Sequence, residues 1–441
     1  MMLEEIKYPP YVQWEVTPLC NHNCIHCYNY WRSDAEKMES EKVLIDSQDY
    51  MAIAEKIVSL KPLTVTITGG EPLLVFDKLK SSIDFLLKSN IIVSINTNLV
   101  LLNEQIAKFF EGKRVSFFFS LPSCDGDVCS FITGNDNFVT ELVRALEILK
   151  KYNLRATPNM VVSKINLPYV YDTAKFVKNN LGLGKIYITR VGKPINSDTS
   201  FFEYLLSLDE LNFLANECVK IEHELNIKVD TANPYCPCCF DKMDAFNKFA
   251  FSKRCNGGVN TYSICTNGDI KACPRDIKIY GNILEDNFEE VWARMSEWRD
   301  GSLIPNECKN CSVVSFCRGG CRIDSYPKTH SRCSLDSSAN ISNLPLKYLK
   351  KEQLFYDFDD YALFRLNDNV NFVKEIRGYR ISYNRSYDYI TDFFYCFLKE
   401  RESFSVSDIA NYFSLDFKQS KMIIFRLLSR GLIVKYNLVV N

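Results

Sequence analysis

An α/β fold on a parallel sheet is what the first half of the chain predicts, and three observations carry it. Short apolar runs rich in Val, Ile, Thr and Phe recur between residues 11 and 230. Several are near-continuous rather than alternating, the pattern of strands covered on both faces. Amphipathic helical stretches separate them, and alternating strands and helices give parallel pairing.

Taken in order, YVQWEVT (11–17), LTVTIT (63–68), IIVSIN (91–96), RVSFFF (114–119), ATPNMVV (156–162) and KIYITR (185–190) read as buried strands. DYMAIAEKIVSL, FDKLKSSIDFLLKSN and NFVTELVRALEILKKYN read as helices between them. Six strand–helix units over residues 1–230 predict a partial, TIM-like (β/α)6 barrel, open rather than closed, whose site lies in the loops after the strands. From 231 to about 340 the chain turns rich in Cys, Gly and Asn, the mark of a segment whose ligands replace part of an apolar core. SSANISNLP (337–345) is a polar linker. Residues 346–441 form a third unit, small, α+β and winged-helix-like. NFVKEI and YRISYN are its first strands, and YDYITDFFYCFLKE is an aromatic-rich helix. SVSDIANYF is a short helix with Ser405 or Ser407 as N-cap, KQSKMIIFRLLSRG is a third helix closed by Gly431, and LIVKYNLVV is a last strand.

Among 441 residues, 53 basic side chains meet 54 acidic ones, so no bulk charge draws the chain to nucleic acid or anionic lipid. The start, MMLEEIKYPPYVQWEV, lacks the basic and apolar regions of a signal peptide, and no apolar run approaches the roughly 18–20 residues of a spanning helix. The expected location is the cytoplasm. Cysteine is the outlier: there are 18, beside four histidines, mostly in tight clusters. In a chain without export signals, such clusters point to metal or iron–sulfur centres rather than disulfides.

The first cluster, Cys20, Cys24 and Cys27, follows the first strand with spacing C-x3-C-x2-C. Iron–sulfur clusters usually take four cysteines, so three leave one iron of a [4Fe–4S] cube open to another ligand. Here the sequence resembles the radical S-adenosylmethionine superfamily. That resemblance implies that the open iron chelates the methionine moiety of S-adenosylmethionine, and that reductive cleavage yields a 5′-deoxyadenosyl radical. Tyr28 stands where the family favours an aromatic residue. Gly69, Gly70, Glu71 and Pro72, after the second strand, match the family's GGEP motif, whose backbone contacts the methionine amino group. Asn98, with Thr97, and Ser120 end the third and fourth strands, where the family touches ribose and carboxylate. Polar strand ends are common in any such fold, so these positions weigh less than the cysteines. His22 and His26 are read as neighbours of the ligands or surface residues.

Downstream, Cys255 and Cys273 frame Gly268 as C-x12-G-x4-C, and Cys308, Cys311, Cys317 and Cys321 follow as C-x2-C-x5-C-x3-C before Cys333. This order resembles the SPASM extension of radical S-adenosylmethionine enzymes. A zinc ribbon explains one C-x2-C pair but not the other gaps. The resemblance implies two auxiliary [4Fe–4S] clusters and so three clusters in all. Cys255, Cys273 and Cys321 fall to the first, and Cys308, Cys311, Cys317 and Cys333 to the second. Cys265 is the nearest candidate to complete the first; alternatively it is a strand residue and an iron stays open for substrate. Cys236, Cys238 and Cys239, and Cys124 and Cys129, read singly as small buried residues. As groups they offer an extra ligand or a thiol link to substrate. Cys218 and Cys396 read as core residues on helices.

The tail resembles the PqqD-like peptide-recognition domain of peptide-maturing radical enzymes, which captures a leader segment as an added strand. The implied activity is modification of a ribosomally made precursor peptide through hydrogen abstraction, forming a thioether or carbon–carbon side-chain cross-link. Flavodoxin or ferredoxin is the expected electron donor. Two other readings compete. A formylglycine-forming sulfatase maturase places Asp after the position of Cys273, where this chain has Pro274 and reaches Asp276 two residues later. A cluster-based sensor binding DNA through the winged helix needs a strongly basic tail and leaves the GGEP motif unexplained.

Overall fold

The computed structural model describes residues 9–27, 47–194, 199–249, 253–311 and 314–324, with Asp336 and Ala339. Further on it describes 363–366, 370–375, 378–383, 386–390, 392–413, 420–421, 423–424, 427–428 and 432–435. The chain divides into two compact units, one reaching to Leu344 and one beginning at Pro345.

The first unit is built on one open ten-stranded sheet. Its strands are β1 (Tyr11–Glu15), β2 (Thr64–Thr68), β3 (Ile92–Thr97), β4 (Val115–Ser120), β5 (Arg155–Val162), β6 (Lys185–Arg190), β7 (Lys228–Asp230), β8 (Thr261–Ile264), β9 (Asp269–Lys271) and β10 (Gly281–Asn282). Their order is β10-β9-β8-β1-β2-β3-β4-β5-β6-β7. From β8 to β7 every pairing is parallel; β9 and β10 add antiparallel. The expected parallel α/β sheet is present. The six predicted strands open a longer series, because β7, in the sequence Lys-Val-Asp, is too short and polar to show as an apolar run.

Helices cross between the strands: α1 (Ser47–Ser59), α2 (Phe76–Lys88), α3 (Glu104–Phe110), α4 (Gly126–Thr133), α5 (Phe138–Lys151), α6 (Val170–Asn179) and α7 (Leu208–Leu225). Each buries an apolar stripe, as α2 does with Phe76, Leu79, Ile83 and Leu86. Start signals are explicit: Asn103 accepts from the Ile106 amide to cap α3, and Ser207 and Glu210 form a reciprocal capping box on α7. In the cysteine-rich stretch lie α8 (Met243–Phe249), α9 (Phe288–Arg294) and α10 (Val314–Cys317). β1 sits mid-sheet. Trp14 faces Ile67 of β2 and Ile264 of β8 in register and is wholly buried.

An ionic cluster ties the sheet to the cysteine-rich stretch. Arg190 ends β6 and reaches Asp324 at 2.9 Å and Asp336 at 3.0 Å; Arg275 reaches Asp324 at 2.7 Å. Arg190, Asp324 and Asp336 are almost completely buried. Burial works against the Arg190 charge, but Asp336 and Asp324 outweigh it and hold the guanidinium well above its usual range. Arg275 and Arg190 in turn hold Asp324 ionised, below the usual carboxylate range, against the same burial cost.

The second unit has its own core. Strands β11 (Phe364–Leu366) and β15 (Ile433–Lys435) pair antiparallel, and β12 (Asn371–Glu375), β13 (Gly378–Tyr383) and β14 (Ser386–Ile390) form an antiparallel meander. α11 (Asp392–Lys399) and α12 (Val406–Phe413) pack Phe394, Phe397, Leu398, Val406 and Ile409 around Phe364 and Phe404. Residues 387–390, read from sequence as the start of a helix, belong to strand β14 instead. Tyr387 and Tyr389 alternate with Asp388, and the strand closes a tight hairpin with β13. Ser405 is the cap of α12: its hydroxyl accepts from the Asp408 amide, and Asp408 accepts from the Ser405 amide. Cys396 is exposed on α11, not in the core as its helical spacing had indicated, whereas Cys218 on α7 is buried. Gly431 lies outside the described residues.

Among the described residues no helix is long and apolar enough to cross a membrane.

Replacing Asp324 with Ala leaves the buried Arg190 with Asp336 alone and takes from Arg275 the carboxylate it pairs with. Removing one member of a buried ion network costs about 3–5 kcal/mol, and chemical denaturation of the apo protein should show a loss of that size.

Candidate active site

The site is assembled where the strands end. The chain leaves β1 through Thr17, Pro18 and Leu19 and enters the loop of Cys20, Cys24 and Cys27. The turn after β2 lies directly against it: the Val16 amide donates to Thr68 O at 2.9 Å, Gly70 to Thr17 O at 2.6 Å and Glu71 to Leu19 O at 2.7 Å. That approach excludes side chains. A Cβ on Gly69 would lie 2.3 Å from Thr17 O, and one on Gly70 1.9 Å from Leu19 O. Gly69 also has φ +135°, a conformation open to glycine alone. The far side of the cysteine loop hangs on α4, whose Thr133 and Ile132 carbonyls accept from Asn23 and Ile25.

Glu71 knots three strand ends together. It is completely buried. Its Oε1 accepts from the Leu73 amide at 2.9 Å and from the Thr97 hydroxyl at 2.7 Å, and its Oε2 from the Asn98 amide at 2.7 Å. The Asn98 side chain donates to Asn21 Oδ1 at 2.8 Å, reaching into the cysteine loop. Burial pushes the Glu71 carboxyl up to about 7 although three donors favour its charge. Pro72 sits at the start of the short 3-10 turn that Glu71 caps.

These loops enclose a cavity of about 290 Å³. Cys20, Cys24, Cys27, Gly69, Gly70, Glu71, Asn98 and Ser120 all line it, so residues singled out from four separate stretches of sequence face one space. Pro72 does not line it, and Tyr28 lies outside the described residues. His22 and His26 also line it; His22 is buried, with Nε2 2.9 Å from the Asn135 amide nitrogen. Sequence reasoning missed Asn159, Thr189, Arg190, Asn233 and Arg275 in the wall. Thr189 and Arg190 close a predicted strand and carried the same polar-strand-end signal as Ser120. Asn233 and Arg275 carried none.

Two thiols of this loop, Cys20 and Cys24, are pushed toward the neutral form. Burial raises Cys20 to about 11 and pushes Cys24 higher still, with smaller contributions from the neighbouring thiols. Among the described residues no three Cys, His, Asp or Glu side chains are gathered around a point that a single metal ion could fill. A cube differs from a single ion, since each thiolate binds its own iron and the ligands stand apart. Three cysteines on one cavity wall beside a side-chain-free glycine turn fit such a group.

Elsewhere, Cys255 is close enough to Cys273 and to Cys321 for their charges to repel, and burial raises all three thiols. Cys265 lies just beyond β8, its thiol 3.7 Å from Glu15 Oε2. Cys308, Cys311 and Cys317 line a second, small cavity together with Cys236 and Cys238. Cys333 lies outside the described residues. Cys129, read from sequence as a loop residue, lies on α4, and its buried thiol donates to Ser123 O in the preceding loop at 3.1 Å.

Residues 14–177 match the family model described as Radical SAM superfamily, so this part of the chain is a radical S-adenosylmethionine domain. Two curated relatives extend the likeness past it. The AdoMet-dependent heme synthase of Methanosarcina barkeri is 22% identical over 347 residues, 74% of this chain and 95% of its own length. The mycofactocin maturase MftC of Mycobacterium ulcerans is 25% identical over 321 residues, 71% of this chain and 83% of its own. Among solved structures, Streptococcus suis SuiB bound to S-adenosylmethionine shares the fold at TM-score 0.60 and 16% identity, over 77% of this chain and 78% of that one. SuiB is also solved with a precursor peptide, SuiA.

Glu71→Gln turns an amide –NH2 toward backbone and hydroxyl donors. An unsatisfied buried group costs about 1–3 kcal/mol, and urea titration of the variant should show that loss. The carboxyl rises from 4.5 to about 7 on folding, so its stabilising contribution is full below the lower value and is lost as pH rises through the upper one. The variant should lack that part of the pH dependence.

Proposed function

We propose that this protein is a radical S-adenosylmethionine maturase that modifies a ribosomally made precursor peptide, forming a thioether or carbon–carbon cross-link between side chains. The observation that carries the proposal is the shared cavity: three cysteines, the glycine turn and two polar strand ends face one space. When bound there, a [4Fe–4S] cluster and S-adenosylmethionine would supply a 5′-deoxyadenosyl radical for hydrogen abstraction. Cys20, Cys24 and Cys27 would hold the cluster. The Gly69–Gly70 turn, packed against the cysteine loop, puts its backbone on the cavity wall where the methionine end of the cofactor would lie, with Asn98 and Ser120 at the neighbouring strand ends. The remaining polar wall, Asn159, Thr189 and Asn233, orients what lies beyond.

We assign residues 1–230 to the radical domain and 231–340 to a SPASM-type segment with two further [4Fe–4S] clusters, and 346–441 to leader-peptide binding. A peptide substrate is supported by the likeness to MftC, a maturase, and to SuiB, solved with a precursor peptide. The heme synthase relative offers a porphyrin as the competing substrate class. Flavodoxin or ferredoxin would deliver the electron.

Two outcomes test this. Anaerobically reconstituted protein should hold about twelve iron atoms, three cubes' worth, and cleave S-adenosylmethionine to 5′-deoxyadenosine under dithionite. The combined change of Cys20, Cys24 and Cys27 to Ala should abolish that cleavage, and unchanged turnover would refute the assignment. Deleting residues 346–441 should leave cleavage measurable while lowering modification of a full precursor encoded beside the gene by tenfold or more, because tethering through the leader sets the effective concentration of the core peptide. Mass spectrometry of that precursor reads the result; equal modification without the tail, or turnover of a porphyrin in place of the peptide, would overturn it.

A further inference from the structure

Between β7 and α8 the chain reads Tyr-Cys-Pro-Cys-Cys-Phe, and the function proposed above assigns none of its thiols a role. Cys236 precedes a one-turn 3-10 helix, Pro237–Cys239, that begins on proline and closes with the Cys239 amide donating to Cys236 O at 2.9 Å. A turn this tight fixes where the Cys236 side chain points. Cys236 is 1% exposed and Cys238 8%.

The space that Cys236 faces belongs to the second cysteine set. One cavity of about 20 Å³ is lined by Cys236, Cys238, Cys308, Cys311 and Cys317. These thiols arrive from three elements: the turn after β7, the 3-10 turn Asn306–Cys308 with the residues just beyond it, and the end of α10. Cys236 and Cys317 are in hydrogen-bond contact, and a charge on Cys236 would also act on Cys308. Gly320 brings the backbone against the same thiol: at φ +83°, a Cβ there would stand 2.5 Å from Cys236 Sγ. The fold therefore keeps a side-chain-free backbone beside Cys236, as at the Gly69–Gly70 turn beside the first cysteine loop.

The resemblance groups Cys308, Cys311 and Cys317 with a later cysteine, Cys333, as their fourth partner. The structure places a different thiol among them, one that precedes Cys308 by 72 positions and is invisible to any local motif. We propose that Cys236 is the fourth thiolate of the iron–sulfur centre held by Cys308, Cys311 and Cys317. The inference rests on the proposed reading of this stretch as cluster-binding. Four thiolates complete a cube and leave no iron open, so this centre would pass electrons rather than bind substrate. Cys238 lines the same space, but the assignment falls to Cys236, which is in hydrogen-bond contact with Cys317. Since Cys236 and Cys317 touch, a cluster enters by parting the two thiols.

The test uses the full-length chain carrying Cys20, Cys24 and Cys27→Ala, so that only auxiliary centres report. After anaerobic reconstitution with iron and sulfide, Cys236→Ala should lose up to about four iron atoms per chain, one cube's worth, or show the signal of a three-iron cluster. Cys236→Ser should keep its iron but shift the electron paramagnetic resonance g values of the reduced protein, because oxygen replaces sulfur at one iron; a packing role would leave them unmoved. Cys238→Ala should match the parent. The inference is overturned if Cys236→Ala retains the parent's iron and spectrum, if Cys238→Ala loses as much iron, or if only Cys333→Ala loses it. A parent that takes up no iron overturns the proposed function as well, whereas a loaded parent indifferent to Cys236 overturns this inference alone.

Discussion

Three backbone hydrogen bonds run from Val16, Gly70 and Glu71 to Thr68, Thr17 and Leu19, and they set the geometry of everything at the mouth of the sheet. They continue the β1–β2 pairing past the ends of both strands, so the cysteine loop leaves β1 along a fixed line. The contact exists because positions 69 and 70 carry no side chain; with a Cβ at either, the two loops would have to separate. Glu71 then converts this pairing of neighbours into a three-strand junction, since its carboxyl takes donors from the next loop at Thr97 and Asn98. Asn98 in turn reaches the cysteine loop through Asn21. The positions that sequence motifs single out therefore serve the architecture of the site. Their backbone and the residual polar surface are what remain to face a ligand.

The ionic cluster plays the corresponding part on the other wall. Arg190 and Arg275 both border the cavity, yet their charges are spent on Asp324 and Asp336. Buried ion pairs are weak contributors to stability compared with apolar packing of the same volume. Their value here is directional. Asp324 lies three residues after Cys321, Arg275 two after Cys273, and the Asp336 carboxylate accepts from the Cys321 amide at 2.6 Å. An apolar contact would let these segments slide, whereas charge-assisted hydrogen bonds fix where two cysteine-bearing loops meet the end of β6.

Much of this was legible in the chain, for reasons that differ by element. The first six strands showed because each buries at least one face and carries a run rich in Val, Ile, Thr or Phe. β7 did not show, because it is three residues long with charged ends. Residues 387–390 were mistaken for helix because aromatic residues at that spacing suit either period, and the hairpin that decides the matter is a pairing with β13. At the site, Cys20, Cys24, Cys27, Gly69, Gly70, Asn98 and Ser120 were legible because their motifs and their places directly after predicted strands resemble a known family's. Arg275 and Asn233 come from beyond the regular series, and only the tertiary path brings them to the cavity. Cys236 is the sharpest case: its neighbours in space are distant in sequence, so spacing has nothing to say about it.

Burial bears on how such a chain takes up metal. The Cys24, Cys273 and Cys321 thiols are all pushed up by loss of solvent, and each feels a further push from another cysteine nearby. In the apo fold the stable form is the neutral thiol, which is a poor ligand and a poor nucleophile. Thiolates become favourable there only when strong positive charge is placed among them, as iron does, and each ligand must release its proton in the process. The same dry surroundings that suppress ionisation would strengthen the attraction between thiolate and iron once both are present, because opposite charges interact more strongly where solvent is excluded. Burial therefore suppresses ionisation of these cysteines in the apo fold, and under the proposed cluster-binding reading the same burial of sulfur, beneath loops that glycine and paired charges hold in place, would tighten the bond to iron.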